Sequence, residues 1–426
     1  MKKTRKIGKA GFSGMHILAA LFLCCRAIWA QNIVGWGQNV DRQTNVPPSI
    51  TNATAFAAGA FHSLALQGNG TVVAWGRNWF GQTNVPAGAT NVIAIAAGSD
   101  HSLAAKSDGS VIAWGLNWEG QTNVPPSATN VVAVAAGWAH SLALRSDGTM
   151  IVWGNNDYGQ GTAPFPAVQA KAIAAGYYHN LALRADGSVV SWGYQTIVPA
   201  SATNVVAIAA GWGHSLALRT DGTIVSWGDN TYGQATVPAA ATNIVAISAG
   251  WYHSIALRAD GAILVWGGTN APVTNTPAGL ANAVGIGAGE DFNLASVGSG
   301  PPNISQVVSS AYANAGGVLV LNPNIQGSLP MTYQWLHDGT IIQNATNRSL
   351  FQSNISSGSG GSYVLVVSNS FGQATNPVAF LNVSTSPQSY SAVGVWGYDA
   401  DHQCDMPAGI YNPVAVAAGA FHNLAL

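Results

Sequence analysis

Six histidines occupy the same position of a recurring Gly-x-x-His segment, and histidine is the side chain best suited to binding metals and moving protons near neutral pH. They are His62, His101, His140, His179, His214 and His253. Each lies in a different copy of a sequence repeat, whereas the ligands of one zinc ion all lie about 2.0–2.1 Å from it. We therefore predict turn or packing roles for these histidines and no metal site.

Five aspartates also recur, each directly before a glycine. They are Asp108, Asp147, Asp186, Asp221 and Asp260. An Asp-Gly pair between alternating apolar residues is typical of a β-hairpin, because glycine adopts positive φ at little cost, so we predict turn roles here too. No Ser/His/Asp set, phosphate-binding loop or Cys/His cluster stands apart from the repeat. The sequence therefore predicts no catalytic residues, no cofactor and no enzymatic activity.

Aromatic residues in the predicted turns are the strongest candidates for recognition, since exposed Trp and Tyr clusters are typical of binding sites. The first set lies in the Gly-x-x-His turns: Phe61, Trp138, Tyr177, Tyr178, Trp212, Trp251 and Tyr252. The second set lies in the loops after Trp-Gly pairs: Trp79, Phe80, Trp118, Tyr158 and Tyr232. We predict that the first set forms an aromatic ring on one side of the molecule and that the second set forms a second candidate face. The alternative is that these rings pack between the repeats.

The elements that would position these side chains follow the regular spacing of eight Trp-Gly pairs. Their tryptophans are Trp36, Trp75, Trp114, Trp153, Trp192, Trp227, Trp266 and Trp396. The first six intervals are 39, 39, 39, 39, 35 and 39 residues, and the last is 130. A nearly constant period of this size indicates a repeat protein.

One clear unit, residues 130–160, predicts three strands, at Val131–Ala136, Ser141–Arg145 and Thr149–Trp153. A fourth, edge strand is predicted after each Trp-Gly loop, at segments such as Gln121–Pro125. Four strands in roughly 40 residues are the spacing of a β-propeller blade.

The two ends of the repeat region are complementary. Residues 32–36 match only the third strand of a unit, whereas the seventh turn, Gly289–Phe292, is followed by a single strand, Asn293–Ala295. We therefore predict that the N-terminal strand completes the seventh blade. This pairing closes an all-β, seven-bladed propeller over residues 31–299 and removes its free edges.

Residues 72–86, 130–144 and 205–228 resemble the repeats of the regulator of chromosome condensation superfamily. Within it, residues 32–299 are most similar to bacterial beta-lactamase-inhibitor protein II in the number and length of units and in the starting strand. The resemblance implies a seven-bladed propeller whose loops form a protein-binding face. The Gly-x-x turns, whose aromatics contact the lactamase in the inhibitor, hold different residues here, such as Ser99-Asp100 and Glu290-Asp291.

Residues 300–388 break the repeat. Trp335 in a Tyr-x-Trp segment and Tyr363 in a Gly-x-Tyr segment resemble the core tryptophan and the tyrosine corner of an immunoglobulin-like β-sandwich. Leu365 stands where such domains often carry a cysteine. We therefore predict an immunoglobulin-like domain without its intersheet disulfide.

Features of the repeat resume in residues 389–426, with Trp396 and a turn at Gly419–His422. Two interpretations stay open. In the first, this partial repeat begins a second propeller that would continue beyond residue 426. In the second, the immunoglobulin-like domain is inserted in the seventh blade, strand 393–397 pairs with Asn293–Ala295, and the N-terminal strand closes an eighth blade.

Residues 1–30 have the pattern of a secretory signal peptide, with basic residues before an apolar stretch at 15–25 and a predicted cut after Ala30. An uncleaved anchor is the alternative. Cleavage would leave nine Lys and Arg against sixteen Asp and Glu, a net charge of −7. Such an acidic protein is not expected to bind nucleic acid, and no later apolar run is long enough to span a membrane.

These features predict a non-catalytic protein, secreted or displayed on a bacterial cell surface, whose loop aromatics bind an extracellular protein or glycan. Two alternatives stay open. One is an architectural surface or spacer protein without a specific ligand, and the other is an inhibitor of an extracellular enzyme such as a beta-lactamase.

Overall fold

The computed structural model of the chain describes most of residues 32–384 and two short strands near the C-terminus. The described ranges are 32–50, 53–163, 169–194, 197–268, 271–278, 280, 283–298, 300–304, 311–323, 325–384, 416–418 and 423–425. The predicted signal peptide, Trp396, strand 393–397 and the Gly419–His422 turn lie outside these residues.

Seven three-stranded antiparallel sheets, which we number 1 to 7, make up the region from residue 32 to residue 297. The first, second and third strands are Ala53–Ala58, His62–Gln67 and Val72–Gly76 in sheet 1; Val92–Ala97, His101–Lys106 and Val111–Gly115 in sheet 2; and Val131–Ala136, His140–Arg145 and Met150–Gly154 in sheet 3. They are Ala170–Ala175, His179–Arg184 and Val189–Gly193 in sheet 4; Val205–Ala210, His214–Arg219 and Ile224–Gly228 in sheet 5; and Ile244–Ala249, His253–Arg258 and Ile263–Gly267 in sheet 6. In sheet 7 they are Ala283–Ala288, Phe292–Val297 and Asn32–Gly37, so its third strand comes from the start of the repeat region. The second strand is central in every sheet. The three strands predicted for residues 130–160 are confirmed to within one residue.

The seven sheets surround one axis. The first strands of all seven line a single central cavity of about 170 Å³, and the first strand of sheet 7 contacts that of sheet 1. Alanine and glycine dominate this lining, because strands that converge on an axis leave little room for large side chains. Larger apolar side chains instead pack between neighbouring sheets, as Leu142 and Leu144 of sheet 3 pack with Ile173 of sheet 4.

The predicted fourth strand is wrong. Residues 121–125 form turns and irregular structure. Pro125 has no N–H to donate to a neighbouring strand, and the carbonyl of Gln121 is bound by side chains. Ser141 Oγ and Trp153 Nε1 each donate to it at 2.8 Å. The segment is therefore held against the next sheet by side-chain hydrogen bonds and not by strand pairing.

The N-terminal strand completes sheet 7. Asn32–Gly37 pairs antiparallel with Phe292–Val297 and places Trp36 opposite Asn293. This is the pairing that the first interpretation of the C-terminal segment requires. Trp36 Nε1 donates to the carbonyl of Val273, in the short helix Ala271–Thr274, at 3.2 Å.

Residues 300–384 form a second group of sheets. The largest of these sheets has five strands, which are, in spatial order, Ala311–Asn314, Gly372–Ser384, Gly361–Asn369, Thr332–His337 and Thr340–Ile341. Two strand pairs accompany it: Val318–Leu321 with Leu350–Ser353, and Asn303–Ile304 with Ile325–Gln326. Residues Ser357–Ser359 form a 3₁₀ helix. Trp335, Tyr363 and Leu365 are fully buried in the core of this group. Tyr363 Oη lies 2.9 Å from the carbonyl oxygen of Ser359, four residues upstream. Beyond this group, Val416–Ala418 pairs with Asn423–Ala425.

Candidate functional site

Both sets of aromatic residues lie at the same end of the sheets, which we call the loop face. It carries the Gly-x-x-His turns and the loops that follow the third strands. In sheet 1, His62 pairs with Gly76, and Arg77 N donates to the Phe61 carbonyl at 2.9 Å. Three antiparallel strands necessarily bring these two connections to one end, so the prediction of a second, separate aromatic face is wrong.

The opposite end, which we call the hairpin face, carries the Asp-Gly turns. Asp147 Oδ1 accepts hydrogen bonds from the backbone N–H and the hydroxyl of Thr149 at 2.9 and 2.6 Å, while Gly148 has a φ of 82°. The C-terminal sheets contact this end of the repeat region, where Asn322 Nδ2 donates to the Val206 carbonyl at 3.2 Å. Val320 packs against the same apolar cluster as Val206.

The recurrent histidines link neighbouring sheets. His140 Nε2 donates to Asn180 Oδ1 at 2.8 Å. The equivalent pairs are His62–Ser102 at 2.9 Å, His101–Ser141 at 3.0 Å, His179–Ser215 at 2.9 Å, His214–Ser254 at 2.9 Å and His253–Asn293 at 2.9 Å. Burial lowers the pKa of all six imidazoles to about 3 or 4. They are therefore neutral at physiological pH and have a structural role.

The glycine of each Gly-x-x-His turn is required by close packing. A Cβ on Gly137 would lie 2.2 Å from His140 Cε1 and 2.4 Å from the Gly176 carbonyl oxygen of the next sheet. In sheet 7, Phe292 replaces the histidine, and Gly289 has the same close contacts, with Phe292 and with the Gly59 carbonyl oxygen of sheet 1. The turns of sheets 7 and 1 are therefore in contact, although the histidine link is not formed there.

The first aromatic set converges into a cluster, not a ring. Trp138 stacks on Tyr177, with ring centroids 4.7 Å apart and planes 8° apart, and Tyr177 meets Trp251 edge-on at 5.4 Å. Trp251 lies in sheet 6, so Tyr177 of sheet 4 reaches past sheet 5. We define the aromatic cluster as Trp138, Tyr177, Tyr178, Trp212, Trp251 and Tyr252. Three of these residues, Trp138, Tyr177 and Trp251, line the central cavity. Phe61 contacts it through Trp251 at 6.3 Å.

The second aromatic set forms a more exposed rim around this cluster. Trp79 is 73% exposed and Trp118 is 78% exposed. The rim aromatics are Trp79, Phe80, Trp118, Tyr158, Tyr194 and Tyr232. Two of them join the cluster directly, since Tyr158 contacts Tyr178 at 4.5 Å and Tyr232 contacts Tyr252 at 5.0 Å.

Tyr194 is a rim residue that the sequence patterns missed. It contacts Tyr158 at 5.4 Å and is 45% exposed. It directly follows the Trp192-Gly193 pair, in the one shortened unit, whose loop lacks the Gly-Gln segment found at 81–82, 120–121, 159–160 and 233–234. Its place after a Trp-Gly pair was the signal that could have identified it.

Arg77 is a cation of the loop face that stacks on aromatic rings. Its Nη2 lies 2.8 Å from Asp41 Oδ2. Its guanidinium carbon lies 3.4 Å from the centroid of the Phe61 ring and 4.1 Å from that of Trp79. An arginine stacked on aromatic rings and paired with a carboxylate is held in one orientation.

The turns of sheets 7 and 2 carry carboxylates and no aromatic residue directly after the glycine. These carboxylates are Glu290 and Asp291 in sheet 7 and Asp100 in sheet 2. Burial, reinforced by the negative charge of Asp291, raises the pKa of Glu290 to about 8. Burial also raises the pKa of Asp100, whose Oδ1 accepts a hydrogen bond from Gln82 Nε2 at 2.9 Å. The sequence analysis identified these residues only as differences from the turns of the inhibitor that the repeats resemble, and it did not predict that sheets 7 and 2 both carry carboxylates on the loop face.

The described residues contain no group of three or more His, Cys, Asp or Glu side chains that could hold a metal ion. Within the same part of the chain, no helix has the length and apolar character needed to cross a membrane.

Six segments match the regulator of chromosome condensation (RCC1) repeat. They are residues 53–82, 92–121, 131–160, 170–196, 205–234 and 244–271. Each begins at or near the first strand of sheets 1 to 6. A comparison with curated protein sequences gives no match.

Several solved structures share the fold. Prp20p from Saccharomyces cerevisiae, described with its binding to Gsp1p and histones, is 21% identical, with a TM-score of 0.54 over 64% of this chain and 92% of that chain. Yeast RCC1 (Prp20) bound to Kap60 is 20% identical, with a TM-score of 0.54 over 70% and 96% of the two chains. Human WBSCR16 is 17% identical, with a TM-score of 0.51 over 63% and 99%.

The matched segments contain the Gly-x-x-His turn, the central strand and the Trp-Gly pair that build sheets 1 to 6. The predicted superfamily repeats and the all-β fold are thereby confirmed. The chain is an all-β protein that contains six RCC1 repeats in a propeller-like arrangement.

Proposed function

We propose that the chain is a non-catalytic, exported binding protein whose loop face recognises an extracellular protein partner. In this proposal, the seven sheets are the blades of a closed propeller close to beta-lactamase-inhibitor protein II, and the C-terminal sheets are an immunoglobulin-like domain. The observation that carries the proposal is the exposure of Trp79 and Trp118 on the face that also carries Arg77.

Trp, Tyr and Arg are the residues enriched at the energetic centres of protein interfaces. The rim aromatics place five such side chains around the aromatic cluster, and Phe80 contacts Trp118 edge-on at 5.2 Å. These aromatic side chains present apolar area to water. Burial of this area by a partner makes the free energy of association more favourable.

The loop face is also well ordered before it binds. Tyr177 N donates to the Gly211 carbonyl at 3.1 Å, and Trp251 N donates to the Glu290 carbonyl at 3.3 Å, so turns of neighbouring sheets are tied together. A surface that is already ordered loses little conformational entropy on association.

Protein binding by a related fold supports the same function. Prp20p, which shares the repeat fold, binds Gsp1p and histones, and the yeast protein has been solved with Kap60. The signal-peptide pattern and the acidic composition of residues 31–426 favour a different, extracellular partner here. Inhibition of an extracellular enzyme is one form that such binding could take.

The second domain leaves the loop face accessible. Its contacts through Asn322 and Val320 lie on the hairpin face. Its buried Trp335 and its Tyr363 hydroxyl, close to the Ser359 carbonyl, match the features of an immunoglobulin-like core. We assign this domain the role of a spacer or second adhesive unit.

A selection experiment tests the proposal. A displayed random-peptide library would be panned against the purified chain, and the selected clones would be re-tested on a Trp79→Ala/Trp118→Ala double variant. A Phe371→Ala variant is the matched control, because Phe371 is an exposed aromatic of the C-terminal sheets. We expect most clones to lose binding to the double variant and to keep it with the control. Clones that bind all three proteins equally would refute the proposal.

A further inference from the structure

The mouth of the central cavity has two chemically different sides. One turn residue directly follows the glycine that recurs in every sheet. From sheet 1 to sheet 7 these residues are Ala60, Ser99, Trp138, Tyr177, Trp212, Trp251 and Glu290. Sheets 3 to 6 therefore present a continuous aromatic wall. Sheets 7, 1 and 2 present a carboxylate and two small residues, and Ala60 and Ser99 line the cavity directly.

Negative charge is concentrated on the side opposite the aromatic wall. Glu290 and Asp291 lie in sheet 7, and Asp100 lies in sheet 2, on either side of sheet 1. Glu290 Oε2 is shielded from solvent and has no hydrogen-bond partner among the described residues. The nearby cation, Arg77, is already engaged by Asp41 at 2.8 Å and by the Phe61 ring.

We infer that this mouth accepts a lysine or arginine side chain of a protein partner, with its carbon chain along the aromatic wall and its charge at Glu290 and Asp100. The inference rests on the proposed function and names the chemistry of the partner. Long basic side chains suit such a site, because their apolar stems pack on aromatic rings while their charged ends reach a polar group.

The electrostatics of the site favour a cation over a neutral ligand. Burial is the main reason why the pKa values of Glu290 and Asp100 are raised, because it disfavours the ionised carboxylate. Neighbouring negative charge adds to this effect, from Asp291 at Glu290 and from Asp41 at Asp100. A bound cation supplies the missing positive charge in a site of low dielectric, where charge-assisted hydrogen bonds are strong.

The geometry of the wall argues against a sugar as the ligand at this mouth. Sugars stack on open, flat aromatic faces, whereas the Trp138 and Tyr177 faces are stacked on each other at an interplanar angle of 8°. Tyr177 and Trp251 meet edge-to-face at 81°. Each of the two stacked rings therefore has one face covered by the other, and this leaves less flat surface for a pyranose ring, whereas an alkyl chain also packs against ring edges.

The test uses short synthetic peptides as probes. The probes are chitohexaose and three acetylated Gly-Ser peptides, which carry one central lysine, arginine or norleucine. Calorimetry and tryptophan fluorescence would measure how tightly each probe binds the full chain. We expect both basic peptides to bind at least about tenfold, or about 1.4 kcal/mol, more tightly than the norleucine peptide.

Two variants distinguish the site from general attraction to an acidic protein. A Glu290→Gln/Asp100→Asn double variant keeps the shape of both side chains and should remove the preference for basic peptides. Asp186→Asn, which removes a carboxylate from the hairpin face, should leave the preference unchanged. Circular dichroism spectra would confirm that all three proteins are folded.

Four results would overturn the inference: equal binding of the norleucine peptide, binding of chitohexaose alone, no binding of the basic peptides at millimolar concentration, or an unchanged preference in the Glu290→Gln/Asp100→Asn variant. The proposed function would survive any of these if selected peptides still depended on Trp79 and Trp118. It would fail separately if they did not.

Discussion

His140 Nε2 donates a hydrogen bond to Asn180 Oδ1 at 2.8 Å, across the boundary between sheet 3 and sheet 4. An amide oxygen only accepts, so His140 carries its proton on Nε2. Asn180 Nδ2 in turn donates to the Gln160 carbonyl at 2.9 Å, which fixes the orientation of the amide. The pair ties one sheet to the next in a fully buried position.

Replacing His140 tests how much this link stabilises the fold. His140→Ala leaves Asn180 Oδ1 without its donor and opens a cavity beside Gly137, so we expect the free energy of unfolding to fall by about 2–4 kcal/mol. His140→Phe copies the natural residue of sheet 7, Phe292, and fills the cavity. It should cost less than His140→Ala, as measured by urea denaturation. If both variants lose the same free energy of unfolding, the cavity left by His140→Ala does not contribute to its loss of stability.

Acid should destabilise the fold through all six histidines. Their pKa is about 6.5 in the unfolded chain and about 3 or 4 in the folded chain, so below pH 6.5 the unfolded state binds more protons. The free energy of unfolding should therefore decrease as the pH falls from about 6.5 to 4, by up to about 1.4 kcal/mol per pH unit for each histidine.

Glu290 acts in the opposite direction and over a different range. Its pKa is raised to about 8 in the folded state, so it favours folding below about pH 4.5 and loses this contribution as the pH rises to 8. One such carboxyl cannot offset six histidines between pH 6 and 4. Denaturant midpoints measured at four pH values would check the prediction, and a stability that stays flat from pH 6.5 to 4.5 would contradict it.

Gly137 should not tolerate a side chain. In Gly137→Ala, the new Cβ would lie 2.2 Å from His140 Cε1 and 2.4 Å from the Gly176 carbonyl oxygen, so ring and backbone must both move. We expect a loss of more than about 2 kcal/mol in the free energy of unfolding. Gly88→Ala is the matched control, because its Cβ would meet only Ile112 Cδ1, at an ordinary 3.6 Å, and thermal denaturation should show little change.

Much of the repeat was readable from spacing alone. The Trp-Gly period and the Asp-Gly turns located the three strands of residues 130–160 to within one residue, because local turn chemistry and alternation decide those elements. The predicted fourth strand failed for a physical reason. Its place after the Trp-Gly loop and its proline are those of an edge strand, and only the structure shows that Ser141 and Trp153 bind the Gln121 carbonyl.

The candidate site was only partly predictable. The aromatic residues could be named from their turns, but the sequence did not show that both connections meet at one end or that Tyr177 reaches Trp251 across sheet 5. Those relationships depend on strand direction and side-chain orientation. The charged side of the mouth was also missed, since Glu290 and Asp100 are 190 residues apart in the chain and come within electrostatic range of each other only in the folded repeat region.

In the proposed function, the loop face binds a protein partner through its exposed aromatics. The most direct test is the dissociation constant of one selected peptide, measured by calorimetry for the unmodified chain, the Trp79→Ala/Trp118→Ala variant and the Phe371→Ala control. Interface tryptophans each contribute roughly 2 kcal/mol or more, so we predict at least about a hundredfold weaker binding for the double variant and no change for the control. Equal dissociation constants for all three proteins would show that the exposed aromatics of the loop face do not bind the partner.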